Sequence, residues 1–189
     1  TSEVCVHHLH FTADDYATLG NKIKCNPAIK SKENKAALWE ALLDDRLDII
    51  ATDHAPHAID EKSGDYDHAH AGLPLAQHSL QLMLHQHQQG RISLEKLVEK
   101  MSHAPAKCFQ IRDRGFIREG YFADLVLVDL NQPYTVSKEN LLYKCGWSPL
   151  EGFTFPATIA MTFVNGYPVY ENGRVDASYT GMRLQFNRN

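Results

Sequence analysis

The stretch that most constrains this 189-residue chain is Leu47-Asp48-Ile49-Ile50-Ala51-Thr52-Asp53, a nearly continuous apolar run that stops on a carboxylate. A run this short and this apolar is the pattern of a parallel strand covered on both faces. Covering both faces requires helices, and one is legible just upstream. Ser31 can cap a helix to about Asp44, in which Leu38, Ala41 and Leu42 fall at helical spacing. Earlier still, Ser2 to Leu9 alternates polar and apolar residues and is rich in β-branched ones, which predicts a strand starting almost at residue 1. A core strand so close to residue 1 leads us to expect that the native polypeptide starts further upstream. The order strand, helix, strand predicts an α/β fold. Alternation along the second strand puts Ile49, Ala51 and Asp53 on one face, so a carboxylate is delivered at the C-terminal end of the strand.

From His54 to about Gly72 no periodicity is visible, and a loop of that length is more often functional than passive. Two helices should follow. Leu80, Met83 and Leu84 mark one, and Ser93 can cap another that presents Leu94, Leu97, Val98 and Met101. Near residue 115 the texture changes to short β-type runs. Ala123 to Asp129 reads as a strand, and 160–164 with 167–170 as a hairpin turning on Asn165-Gly166.

Composition narrows the function classes. Hydrophobic residues make up 43% and charged residues 22%, with a net charge of -4, and there is no Lys or Arg run able to track phosphates, so nucleic acid is not an expected partner. No apolar stretch is long enough to span a bilayer and no signal-peptide pattern opens the chain, which leads us to expect a cytoplasmic protein. Cys5, Cys25, Cys108 and Cys145 lack C-x-x-C spacing and read as reduced, mostly buried thiols. Histidine is the unusual residue, with most of its eleven copies in the first half of the chain.

Asp53-His54-x-x-His57 can serve a divalent cation and a proton transfer together. A carboxylate can ligate zinc and accept a proton from an attacking water, while His57, held after Pro56, can face an anionic substrate. The same residues also suit a hydrogen-bonded Asp beside two surface histidines.

The longer string decides between these. Thr52-Asp53-His54-Ala55-Pro56-His57 after an apolar strand resembles the dihydroorotases of the amidohydrolase superfamily. Further segments resemble that family in order: Glu3 to Leu9 (E-V-x-P-H-H-L), Cys25-Asn26-Pro27, Ala71-Gly72-Leu73-Pro74, Gly120 to Val126 (G-x-x-A-D-L-V), Trp147 to Gly152 (S-P-F-E-G) and Val164-Asn165-Gly166. The resemblance implies the C-terminal portion of a (β/α)8 metal-dependent hydrolase barrel, with its last two strands and helices in 1–114, followed by part of an accessory β domain and a tail in 115–189. It implies zinc-dependent, reversible hydrolysis of dihydroorotate to N-carbamoyl-aspartate in pyrimidine biosynthesis. Asp53 would be a metal ligand and the general base. Asn26, His57, Ala71 and Gly72 would bind the substrate, and Glu3 and His8 would line the metal cavity and contact an additional zinc. It further implies a homo-oligomer and admits association with a carbamoyltransferase.

Two departures stand out. Val6 replaces the family's usual proline, and the H-x-H pair, bridging lysine or aspartate, and two further histidines of the superfamily's metal site have no counterpart here. His8-Leu9-His10 has H-x-H spacing but lies at the wrong end of the order. A single carboxylate cannot hold a binuclear centre, since zinc takes three or four protein ligands, so catalysis is expected only with the missing barrel half. Three other readings stay open: an allantoinase or dihydropyrimidinase type of cyclic amidase, a non-catalytic dihydroorotase-like scaffold subunit, and a metal-sequestering module built on the histidines from His68 to His87.

Overall fold

A computed structural model describes residues 1–187, so the last two residues of the segment read as the accessory tail, 188 and 189, lie outside the described residues. Strand β1 (Glu3–Cys5) runs directly into helix α1 (Val6–His10). Helix α2 (Tyr16–Leu19) and the longer α3 (Lys32–Leu43) lead to β2 (Ile49–Ala51), which pairs with β1 in parallel, Glu3 opposite Ile49 and Cys5 opposite Ala51. The expected strand, helix, strand unit is therefore present, and both Ile49 and Ile50 are buried, as a strand covered on two faces requires.

The first strand is shorter than its alternation suggests. Its ladder with β2 spans only three pairs, and among the described residues the backbone beyond Cys5 has no partner strand. The chain satisfies its amides by coiling instead, and Phe11 N donates to the His7 carbonyl at 2.9 Å. Val6, His7 and Leu9 still reach the interior, because a single helical turn with three apolar-facing positions can mimic period-two alternation over five residues.

Ser31 occupies the N-cap of α3, but its hydroxyl accepts from the Asn34 side chain at 3.0 Å rather than from a helix amide. Trp39 and Leu42 are the residues that α3 buries, with the Trp39 indole donating to the Leu9 carbonyl at 3.0 Å.

Helix α4 (Ser79–Gln88) buries Leu82, Met83 and Leu84. Helix α5 (Leu94–Val98) is capped by Ser93, whose hydroxyl accepts from Lys96 N at 3.1 Å. Of its expected apolar stripe, Leu97 is buried and Leu94 and Met101 pack on the core, but Val98 is 41% exposed. A π-helical turn over Glu99–His103 joins α5 to α6 (Ala104–Cys108). Pro105, which can neither donate to a preceding turn nor tolerate the carbonyl four residues back, accounts for this widening.

The later strands are β3 (Leu125–Asp129), β4 (Tyr134–Thr135), β5 (Thr154–Phe155), β6 (Thr158–Val164), β7 (Tyr167–Glu171) and β8 (Arg174–Val175). They form an antiparallel sheet in the order β3-β6-β7-β8 and a separate β4-β5 pair. The β6–β7 turn has φ of 51° at Asn165 and 86° at Gly166, the two consecutive positive values that a tight hairpin of matching twist needs. Val136, Leu150, Phe155 and Ala157 join the same buried cluster as Val4, Leu9, Leu42 and Leu82. Among the described residues no helix is long and apolar enough to cross a membrane.

Candidate active site

The C-terminal ends of β1 and β2 lie side by side, and the residues that follow them converge. Glu3 on β1, His8 on α1, Asn26 in the loop before α3, and Asp53 two residues past β2 line one open pocket of about 650 Å³. Four of the residues singled out from the sequence thus meet in one place. Asp53 arrives by a different route from simple alternation. The strand ends at Ala51, and Asp53 adopts φ of 43°, a left-handed conformation that turns it out of the pleat.

The pocket is electrostatically negative at its strand end. Among the described residues the carboxylates of Glu3 and Asp53 make no hydrogen bond or ion pair. Burial, and then the charges of Asp53 and Glu3, push the Cys5 thiol up to about 12. His8 Nε2 donates to the Pro27 carbonyl at 2.8 Å, which leaves Nδ1 with its lone pair when the ring is neutral. Two uncommitted carboxylates and an oriented imidazole are donor types that a zinc-type cation takes, but among the described residues the donor atoms of Asp53, Glu3 and His8 do not gather within one coordination shell, so each would hold such an ion only together with ligands from elsewhere. The pocket lining also includes Lys30 and Lys35, whose ammonium groups donate to the Ala28 and His10 carbonyls.

His57, Ala71 and Gly72 form a second group beside this pocket, on the loop from 54 to 72. His57 Nε2 donates to the Ala71 carbonyl at 3.1 Å, and the Trp147 indole donates to the His57 carbonyl at 2.8 Å. The segment Trp147 to Gly152 therefore anchors the backbone of the D-H-x-x-H motif. Gly72 has φ of 140°, and a Cβ there would lie 2.4 Å from the Ala55 carbonyl oxygen and 3.0 Å from the His57 ring. Only glycine lets the two ends of the loop approach this closely, in the bridge that pairs His54 with Leu73. Gly72 N donates to the Lys24 carbonyl at 2.9 Å.

Several contributors had no signal in the sequence. Lys62 is only 4% exposed, and its ammonium donates to the carbonyls of Lys24 (3.1 Å), His70 (2.7 Å) and Gly72 (2.9 Å), tying the loop to the segment before α3. His7 is fully buried, both its ring nitrogens lack partners among the described residues, and burial followed by the charge of His8 pushes it down to about 3. Nothing in a linear pattern separates His7 from the pocket-lining His8 beside it. Of the histidines from His68 onward, His78 is buried against Phe155 and Tyr143, while His68 is exposed and bonded to Asp65.

This arrangement, carboxylate-rich strand ends beneath a motif loop, belongs to a known class: residues 1–169 match the Amidohydrolase family, and the chain is a member of it. Within that class the chain is 35% identical over 182 residues to the dihydroorotase of Pyrococcus furiosus and 37% identical over 179 residues to that of Halobacterium salinarum. These alignments take in 96% and 94% of this chain and 42% of each relative. An allantoinase of Desulfitobacterium hafniense is 32% identical over 184 residues, 97% of this chain and 41% of that protein. Among solved structures, the L-hydantoinase (dihydropyrimidinase) of Arthrobacter aurescens superposes with a TM-score of 0.86 at 32% identity, over 93% of this chain and 40% of that one. The chain thus spans about two-fifths of the length of these relatives. Its fold is α/β, the C-terminal portion of the hydrolase barrel followed by part of the accessory β structure.

Proposed function

We propose that the protein carrying this chain is a dihydroorotase, a zinc-dependent hydrolase that opens the cyclic amide of dihydroorotate to N-carbamoyl-aspartate, and closes it again, in pyrimidine biosynthesis. Residues 1–114 would supply the last two strands and helices of the barrel and 115–189 the accessory β part and tail, with the remaining metal ligands provided outside these residues. The observation that carries this reading is the free Asp53 carboxylate at the rim of a pocket shared with Asn26, beside a His57 fixed by Ala71 and Trp147.

Zinc, held in part by Asp53 with Glu3 and His8 at its margin, would polarise the amide carbonyl and acidify water. Asp53 accepts the proton of the water that adds to the ring carbonyl carbon. As the carbon–nitrogen bond breaks, Asp53 returns that proton to the leaving nitrogen, so water is added across the amide with no net change at the carboxylate. His57 and Asn26 hold the substrate, His57 through its carboxylate, and the backbone at Ala71 and Gly72 borders the ring amide. The reverse sequence closes the ring.

A second reading, an allantoinase or hydantoinase, is favoured by the relatives of those names at comparable identity. Dihydroorotate, allantoin and hydantoin offered to the complete, metal-loaded protein separate the two. Turnover of dihydroorotate alone is expected, and turnover of only the other two would exclude the proposal. Asp53→Ala should then lower kcat by at least about 100-fold with an unchanged circular dichroism spectrum, and near-normal turnover would remove Asp53 from its role.

A further inference from the structure

On the segment that carries the motif and the loop after it, three donor side chains meet. His57 Nδ1 lies 3.4 Å from His70 Nδ1 and 3.6 Å from Glu61 Oε2, and His70 Nδ1 lies 3.9 Å from Glu61 Oε1. A separation of 3.4 Å is long for a nitrogen-to-nitrogen hydrogen bond. It equals the spacing of two nitrogens on one tetrahedral ion, which at zinc–nitrogen bonds of about 2.0–2.1 Å is about 3.4 Å.

The cluster is also held from behind. The Nε2–H of His57 is committed to the Ala71 carbonyl, so Nδ1 offers a lone pair to a cation when the ring is neutral and a proton to a carboxylate when it is charged, and a ligand histidine braced by a carbonyl in this way is the usual outer-shell arrangement of a zinc site. Glu61 Oε2 accepts from Ala58 N at 2.8 Å, His70 N donates to the Glu61 carbonyl at 2.9 Å, and the buried Lys62 ammonium holds the His70 carbonyl. The His57 ring and the Glu61 carboxylate are therefore fixed by contacts that a cation would not disturb, and the His70 backbone is held at both its amide and its carbonyl.

We propose that His57, Glu61 and His70 form a binding site for a divalent cation of the zinc class, with a fourth position open to water. Resting on the proposed function, in which His57 faces the substrate, occupancy of this site withdraws the His57 ring from that task and makes excess zinc an inhibitor.

The test uses the complete enzyme with its catalytic metals in place, dialysed against stepped, buffered Zn²⁺ and assayed for bound metal. The wild type should take up one further zinc per chain. His70→Ala and Glu61→Gln should each weaken that uptake by about tenfold or more, while His68→Ala, which alters an exposed neighbour outside the cluster, should not. No further zinc in the wild type, or equal uptake by wild type and His70→Ala, would overturn the site. Zinc uptake that His70→Ala abolishes, without any inhibition of turnover, would uphold the site and instead remove His57 from substrate binding.

Discussion

A side chain keeps its place only if its backbone is held independently of it, and His57 shows how. Its carbonyl is fixed by the Trp147 indole and its ring by the Ala71 carbonyl, so removing the ring leaves the backbone anchor in place. His57→Ala should therefore raise KM for dihydroorotate by about 10- to 100-fold, the loss of one hydrogen bond to a charged group of roughly 1.5–3 kcal/mol. The catalytic metal content should stay the same. Steady-state kinetics with metal analysis of the same preparation checks both halves, and empty metal sites in the variant would contradict the assignment. The place of Asp53 at the pocket was legible in the sequence because strand, carboxylate and motif are contiguous. Cys5, His7 and Lys62 were not legible, because burial and partners tens of residues away decide what they do.

At the level of elements, the loop from 54 to 72 carries little regular structure yet is tightly specified, and Lys62 is the reason. Burial pushes its ammonium down to about 8, ahead of the repulsion from Lys24, and at neutral pH it stays charged and donates to three carbonyls. Lys62→Met keeps the length of the side chain but leaves those carbonyls without their donor. A loss of about 1–3 kcal/mol is expected, together with faster hydrogen exchange at the His70 and Gly72 amides, which bond to Glu61 and Lys24. Urea unfolding and exchange mass spectrometry measure the two effects, and unchanged exchange at both amides would show that the loop does not depend on Lys62. Element type was readable wherever the periodicity was long, as in α3 and α4, and at the Asn165-Gly166 hairpin. It failed from Val6 to His10, where five residues cannot distinguish a turn of helix from a strand and only the length of the partner β2 decides.

For the molecule as a whole, a buried and a half-buried histidine tie stability to pH. His78 is fully buried where α4 meets β5, stacked on Phe155 at 5.9 Å, and burial pushes it down to about 4. His10 is pushed down to about 4 as well, by burial first and then by the charges of His85 and Lys35. Once unfolded, both rings take up protons near pH 6.5, while the folded protein holds them neutral until about pH 4. The unfolded state therefore binds more protons between these values, so stability is full above pH 6.5 and falls as the pH drops towards 4. Each ring contributes up to about 1.4 kcal/mol per pH unit inside that window. Release of the proposed metal on acidification would act in the same direction, so the contribution of one ring must be isolated by substitution. His78→Gln removes one titrating group, and although it lowers stability at pH 7 by loosening the contact with Phe155, the dependence of unfolding free energy on pH between 6.5 and 4.5 should flatten by about one proton. Urea denaturation at stepped pH on wild type and variant measures that slope directly. Parallel curves, offset but with the same slope, would mean that His78 is already protonated in the folded protein.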